Sequence, residues 1–203
     1  AKEGFLSLCK KDIWLMWFKI VVACLPAAVV GLLFDEYFES LFYNGVCVAI
    51  ALIVFGVGFL LIENKNKHRR ARIRSLSEIT FNTALIIGFF QLIAAIFPGT
   101  SRSGATILGA LLIGVSRTVA AEFTFFLAIP VMLGASLLKV LKFDAVITGN
   151  EIMILVTGMV TAFVVSVIVI RFLMGYIKKH DFKVFGWYRI VLGAVVLLYF
   201  GLK

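Results

Sequence analysis

The sequence predicts an all-α integral membrane protein with five full transmembrane helices and one re-entrant helical hairpin. Of the 203 residues, 62% are hydrophobic and 15% are charged, and the mean hydropathy is +1.07, whereas soluble domains are about half apolar and about a quarter charged. The long uncharged runs do not alternate between apolar and polar residues, so they fit helices and not the strands of a barrel. A water-soluble domain is therefore excluded.

Five apolar runs are long enough, or nearly so, for the ~20 residues that a transmembrane helix needs. The predicted spans are residues 13–34, 46–62, 123–138, 152–170 and 184–202. A short acidic loop that holds Asp35, Glu36 and Glu39 is expected between the first two spans. Residues 63–78 are the most polar stretch and are expected to form a basic loop.

Two further apolar runs, residues 79–97 and 104–115, flank a Pro-Gly pair that breaks helices and starts turns. The second run has 12 residues and would rise only about 18 Å as a helix, which is too short for a ~30 Å hydrocarbon core. A re-entrant hairpin over 79–115 places most of the basic residues, including the lysines of residues 178–183, on one side, as the positive-inside rule favours. Lys139, Lys142 and Lys203 are left on the other side. The sequence therefore predicts that hairpin, with the basic side in the cytoplasm.

The turn of this hairpin concentrates polar groups at membrane depth. Residues 98–106 read PGTSRSGAT and contain four hydroxyl side chains and one arginine, Arg102. A guanidinium at mid-membrane is costly, so it normally faces a cavity or a partner and marks a site. Its planar fork suits phosphate, and the N–H groups at the start of the following helix favour the same anion. The turn is thus either an oxyanion site or an ordinary aqueous turn with a solvated Arg102.

A few polar residues lie within or beside the apolar runs, and two of them, Gln91 and Glu122, have more than one explanation. Gln91 either donates into the predicted cavity or ties two helices together. Glu122 either holds Arg117, contributes to a polar site, or is a helix-start carboxylate near the interface. Arg171 and Arg189 are expected to extend their charged ends from the span ends to the interface.

The net charge of +9 is first a topology signal in a membrane protein and second a sign of anionic partners. Two explanations stay open for the six basic residues between Lys65 and Arg74: binding to anionic lipid head groups, or orienting the chain with no ligand. His68 and His180 fall in polar loops and are expected to be solvated. No nucleic-acid partner and no disulfide framework are expected.

Several stretches together resemble one family, the bacterial undecaprenyl-diphosphate phosphatases of the bacitracin-resistance type. These are PGTSRSGAT at 98–106, GVSR at 114–117, AEFTF at 121–125 and LPAAVVGLLF at 25–34. The resemblance implies a multi-pass enzyme of the bacterial inner membrane with inverted repeats, of which this chain supplies the second. The implied reaction removes the terminal phosphate of undecaprenyl diphosphate and recycles the carrier for cell-wall synthesis. The implied partners are the polyprenyl diphosphate substrate and membrane lipids, and a homodimer stays open.

The resemblance also assigns roles to residues of the hairpin turn. The family's diphosphate-binding arginine corresponds to Arg102, and the serines beside it, Ser101 and Ser103, line the same pocket, so these three are the expected catalytic residues. The expected phosphate-binding residues are Gly99, Thr100, Arg102, Ser103, Gly104 and Thr106. Gln91 and Glu122 are expected to support them. The family's Mg²⁺ or Ca²⁺ is implied as a cofactor, with no ligand for it expected in this chain.

One departure from the family is large. Its other motif, a glutamate-rich amino-terminal helix that leads into a Ser-Ser-Thr-Gly-His hairpin, has no counterpart in residues 1–203. The single membrane domain over 1–203 is therefore expected to be incomplete at its amino terminus and inactive alone, with the metal ligands in the missing part. The alternatives are a polyprenyl-phosphate flippase or secondary transporter, which also surrounds a mid-membrane anion site with broken helices, and a non-catalytic remnant.

Overall fold

The computed structural model describes residues 11–67, 69–143 and 148–201, so the expectation for His68 lies outside the described residues. Within these ranges the chain forms seven α-helices, and a short 3-10 helix, Leu76–Glu78, precedes the third. The helices are α1 Lys11–Phe42, α2 Gly45–Asn66, α3 Phe81–Ile96, α4 Arg102–Leu112, α5 Arg117–Leu141, α6 Gly149–Ile177 and α7 Lys183–Gly201.

Five of these helices are long and apolar enough to cross a membrane: α1, α2, α5, α6 and α7. They correspond to the five predicted spans, and the prediction of an all-α membrane protein with five spans is confirmed. Helices form here because every backbone N–H and C=O in lipid needs a partner, which a helix supplies within one segment. Their ends carry ordinary caps, such as the reciprocal capping box that joins Thr148 and Glu151 at the start of α6.

Two segments that the sequence predicted as loops are helical. α1 ends only at Phe42 and so contains the three residues of the predicted acidic loop: Asp35, Glu36 and Glu39. α2 continues past its predicted span to Asn66, so Glu63 lies in a helix and not in the basic loop. Both predictions were wrong because a helix can continue beyond its apolar part until a residue breaks it, and residues 35–42 and 63–66 contain neither proline nor glycine.

α3 and α4 form a helical hairpin around a turn at residues 97–101. With 16 and 11 residues, they rise about 24 Å and 17 Å, and each is shorter than a ~30 Å hydrocarbon core. The chain after α4 returns to the chain before α3. The Arg72 N–H donates to the Gly114 carbonyl at 2.8 Å, and the Ser116 N–H donates to the Ile73 carbonyl at 2.9 Å. Both ends of the hairpin therefore lie at one end of the molecule, which is the geometry that a re-entrant hairpin requires.

α2 and α7 pack closely through glycines. A Cβ on Gly56 would lie 2.8 Å from the Gly186 carbonyl oxygen, and a Cβ on Gly193 would lie 2.8 Å from the Ala49 carbonyl oxygen. Small residues at such positions let two helix backbones approach each other in a membrane. Because early residues of α2 meet late residues of α7, the two helices run antiparallel.

The close contact between α2 and α7 predicts that Gly56→Ala destabilises the protein by about 1–3 kcal/mol. The new methyl group would lie 2.7 Å from Ile190 Cγ1 as well as against Gly186. Thermal unfolding in detergent measures the effect. The matched control is Gly158→Ala in α6, where a Cβ meets no atom within 4 Å, and alanine should be neutral or stabilising there. Equal unfolding temperatures for the two variants would contradict this packing.

The buried apolar residues form two clusters, and the hairpin contributes residues to both. One cluster joins α1, α3 and α5 around Ile20, Ile87 and Phe123. The other joins α2, α4 and the start of α7 around Phe59 and Phe182. The hairpin is thus surrounded by protein along much of its length, whereas α6 buries only its last residue.

Candidate functional site

The hairpin turn is held firmly against its neighbours. Gly99 has φ +88°, in the left-handed region that favours glycine, and a Cβ there would lie 2.6 Å from the Val48 carbonyl oxygen. The ring of Phe97 packs on the ring of Phe42, with centroids 4.8 Å apart. Position 99 therefore requires glycine, and the turn has a fixed position beside α1 and α2.

Ser101 caps the amino terminus of α4 in an unusual conformation. Its φ is +59°, which is uncommon for a residue other than glycine and costs on the order of 1–3 kcal/mol. Its Oγ accepts the Gly104 N–H at 3.3 Å, and its carbonyl accepts the Ala105 N–H at 3.0 Å. The N–H groups of Arg102 and Ser103 have no partner within the described ranges, as expected for a first helical turn. They are available to an anion.

The structure brings together the three predicted catalytic residues, Ser101, Arg102 and Ser103. Arg102 and Ser103 are exposed and Ser101 is half-buried, and the two serine Oγ atoms are 3.4 Å apart. Arg102 forms no ion pair with any residue that the structure describes. The side chains of Arg102 and Ser103 are therefore accessible to a ligand, and the catalytic role of the three residues stays a prediction.

Other residues predicted to bind phosphate or support the site are buried. Thr106 Oγ1 lies 3.1 Å from the Arg102 carbonyl oxygen and 3.0 Å from Thr124 Oγ1. Its hydroxyl therefore connects α4 to α5 and does not point outward. Thr100 is fully buried and Gln91 is 2% exposed. Thr100 Oγ1 and Gln91 Nε2 find no hydrogen-bond partner among the described residues. Leaving such a group unpaired costs about 1–3 kcal/mol, so both are expected to be satisfied by ligand or water.

Arg189 of α7 also belongs to the site, although the sequence predicted that it extends to the interface. That prediction was wrong. Arg189 Nη1 donates to the Thr100 carbonyl at 2.9 Å, and a Cβ on Gly104 would lie 2.9 Å from Arg189 Nη2. The antiparallel packing of α7 on α2 places this side chain beside the turn. The available signal was that Arg189 is the one charged residue in the apolar run 184–202.

Arg102 is the first residue of α4, and the guanidinium of Arg189 lies beside the same helix end. The same end of α4 carries the hydroxyls of Ser101 and Ser103, the two available N–H groups, and the positive end of the helix dipole. Guanidinium binds phosphate oxygens through two parallel hydrogen bonds. This arrangement is suited to a phosphate-bearing anion.

Arg117 pairs with the carboxylate of Glu63 and not with that of Glu122, which the sequence suggested as a partner. Its Nε lies 3.0 Å from each carboxylate oxygen of Glu63, and its Nη2 contacts the same group. The side chain of Glu63 is 1% exposed and also accepts the Phe182 N–H at 3.1 Å. Glu122 is half-buried in α5, and the explanation that it holds Arg117 was wrong. The Glu63–Arg117 pair joins α2, α5 and the start of α7.

The described residues do not fit the divalent cation that the resemblance implies. No group of three or more His, Cys, Asp or Glu side chains comes together within the described ranges. The hairpin turn offers hydroxyls and guanidinium groups, whereas Mg²⁺ and Ca²⁺ take carboxylate and carbonyl oxygens. No step of the chemistry is therefore assigned to a metal ion.

The fold and the hairpin define a class of protein: a multi-pass helical membrane protein whose candidate site, suited to an oxyanion, lies on a helical hairpin. The family described as bacitracin resistance protein BacA matches residues 2–195. The chain belongs to this family, and the resemblance found in the sequence is confirmed.

Curated relatives carry the name undecaprenyl-diphosphatase. The protein of that name from Desulfitobacterium hafniense is 69% identical over 188 residues, which are 93% of this chain and 68% of the relative. Undecaprenyl-diphosphatase 1 from Clostridium acetobutylicum is 64% identical, with 94% of this chain and 70% of the relative covered. A relative from Enterococcus faecalis is 61% identical, with 97% and 71% covered.

Proposed function

We infer that the protein is an undecaprenyl-diphosphatase, which hydrolyses undecaprenyl diphosphate to undecaprenyl phosphate and inorganic phosphate. Its family and the names of its relatives support this function. The main support from the geometry is the amino terminus of α4, where Arg102 is exposed and the N–H groups of Arg102 and Ser103 have no partner among the described residues, in a hairpin among membrane-spanning helices. A substrate with an anionic head and a lipid tail needs such a combination. No observation favours the flippase or transporter alternative.

The hairpin supplies charge stabilisation for the reaction. In the net hydrolysis a water oxygen becomes bonded to the distal phosphorus, the bond to the bridging oxygen breaks, and undecaprenyl phosphate leaves. Negative charge is spread over the distal phosphoryl oxygens and the leaving phosphate. Arg102, the N–H groups of Arg102 and Ser103, and the hydroxyls of Ser101 and Ser103 would bind those oxygens. Each donor aimed at developing charge contributes about 10²- to 10³-fold in rate. Arg189 would act through the Thr100 carbonyl, by holding the turn in shape.

We propose that the protein works in the bacterial inner membrane, with the basic end of the bundle in the cytoplasm. The five spans make it a multi-pass protein. The loop between α2 and α3, the start of α5 and the connection from α6 to α7 share one end, because the Glu63 carboxylate bonds both Arg117 and the Phe182 N–H. That end carries most of the lysines and arginines in the connections, which the positive-inside rule places in the cytoplasm. A homodimer stays a prediction.

The orientation is tested with single cysteines in a chain whose native cysteines are replaced. A cysteine at Lys67, at the basic end, is expected to react with a membrane-impermeant thiol reagent only after the inner membrane of spheroplasts is opened. A matched cysteine at Tyr43, between α1 and α2, is 72% exposed and is expected to react in intact spheroplasts. The reverse pattern of labelling would overturn the orientation.

Release of inorganic phosphate from a polyprenyl diphosphate tests the proposed activity. Residues 1–203 alone are expected to stay at background. The same chain co-produced with the part of the Desulfitobacterium hafniense relative that lies outside the alignment is expected to release phosphate. Background release from this combined preparation, together with transport of the lipid, would overturn the phosphatase function. Robust release by residues 1–203 alone would show that they contain every catalytic group.

A further inference from the structure

A cavity of about 780 Å³ lies at the basic end of the bundle. It is separated from the hairpin turn by the length of α4, about 17 Å. Its lining includes the backbone after α4, and five basic side chains from three separate parts of the chain: Arg69, Arg70, Arg72, Arg117 and Lys178. We call it the basic cavity.

The positive charge of the basic cavity is mostly uncompensated. Glu63 is the one acidic residue in its lining, and its carboxylate is already bonded to Arg117 and to the Phe182 N–H. The other four basic side chains form no ion pair with any residue described. Like charges held close together repel each other, and a bound anion relieves this repulsion.

The walls of the basic cavity are fixed by hydrogen bonds. Asn66 Nδ2 donates to the Leu111 carbonyl at 3.1 Å, and the Arg72 N–H donates to the Gly114 carbonyl at 2.8 Å. Gly114 has φ +89°, which the close return of the chain requires. The carbonyl groups at the end of a helix repel anions, but here the Leu111 carbonyl accepts from Asn66 and the Ala110 carbonyl accepts the Val115 N–H at 3.0 Å. The arginines of the loop are therefore presented from a defined backbone.

We propose that the basic cavity is a second binding site for a phosphate-bearing anion, separate from the hairpin turn. The guanidinium group of arginine binds two phosphate oxygens at once. The volume of the basic cavity falls within the ~300–1,000 Å³ typical of ligand sites. The phosphate has two sources: the head group of an anionic membrane lipid, which basic pockets between transmembrane helices bind, or free inorganic phosphate or diphosphate. Basic residues that serve only to orient the chain would need neither.

Two double variants with the same change in charge test the site. Arg69→Gln with Arg70→Gln removes two cations from the cavity, and Lys65→Gln with Lys67→Gln removes two from residues outside its lining. All four side chains are exposed, so both variants are expected to fold, which thermal unfolding checks. Both are made in an Arg102→Ala background, so that the hairpin turn contributes little binding.

Binding is measured for the purified chain in neutral detergent at low salt. Native mass spectrometry measures the binding of phosphatidylglycerol, with phosphatidylcholine as the neutral comparison. Equilibrium dialysis measures the binding of inorganic phosphate and diphosphate. The cavity variant is expected to bind about 30-fold more weakly than its Arg102→Ala parent, or roughly fivefold per lost cation. The control variant is expected to lose less than about threefold.

If the cavity variant loses binding only to phosphatidylglycerol, the ligand is a lipid head group. If it loses binding to the inorganic anions, the ligand is free phosphate or diphosphate. Equal losses in the two variants, unchanged binding in the cavity variant, or no binding by the parent would each overturn the site. Because the readout is binding and not phosphate release, the result is independent of the proposed phosphatase activity.

Discussion

Arg102→Ala is expected to lower phosphate release by at least about 10³-fold and to leave the protein folded. The guanidinium would supply two hydrogen bonds to the phosphoryl oxygens, and each donor of this kind is worth about 10²- to 10³-fold. Arg102 is exposed and forms no ion pair within the described residues, so its removal costs little stability. Phosphate release by the combined preparation measures the activity, and thermal unfolding in detergent measures the fold.

Two further substitutions show whether the loss of phosphate release is specific to the guanidinium group at position 102. Arg102→Lys keeps the charge but loses the planar fork, so it is expected to recover little activity. Arg171→Ala removes another exposed arginine, near the end of α6, and is expected to leave activity unchanged. Near-normal turnover by either Arg102 variant would exclude Arg102 from the site.

Arg117→Ala is expected to destabilise the protein by about 3 kcal/mol, because it leaves the carboxylate of Glu63 buried without its partner. Breaking a buried ion pair from one side costs about 3–5 kcal/mol. The lower end applies here since the Arg117 side chain is 39% exposed and solvent screens part of the interaction. Thermal unfolding is expected to show a midpoint lower by about 6–12 °C.

The control for this prediction is the double variant Glu63→Gln with Arg117→Gln. It removes both charges, and the glutamine at position 63 can still accept the Phe182 N–H that Glu63 accepts at 3.1 Å. Most of the lost stability is therefore expected to return. Equal losses in the single and double variants would show that the buried charge of Glu63 is not the cause.

The sequence predicted the five spans because the length of an apolar run directly reflects the thickness of the hydrocarbon core. It misplaced the ends of α1 and α2 for the same reason. Hydropathy marks where a helix leaves the hydrocarbon, whereas the helix itself continues while propensity allows, to Phe42 in α1 and to Asn66 in α2. Composition alone does not separate these two boundaries.

The sequence located the hairpin turn because a charge at membrane depth is costly and a run of 12 residues is too short to cross. It did not find Arg189 or Glu63, since their roles depend on partners far away in the chain. Arg189 bonds a carbonyl 89 residues away, and Glu63 bonds an arginine 54 residues away. Only the packing of α7 on α2, and of α5 beside them, brings these groups together. The hydroxyl of Thr106 likewise turns inward because α5 lies against α4.

The hydrogen bond from Arg189 to the Thr100 carbonyl has a consequence for biosynthesis. The turn is made early, but the helix that steadies it is the last of those described, 89 residues later. At about 5–20 residues per second, roughly 4–18 s pass between the two during translation. Over that interval the nascent hairpin holds its polar turn without the arginine of α7. A ribosome that stalls before α7 would therefore leave a hairpin whose Thr100 carbonyl lacks this partner.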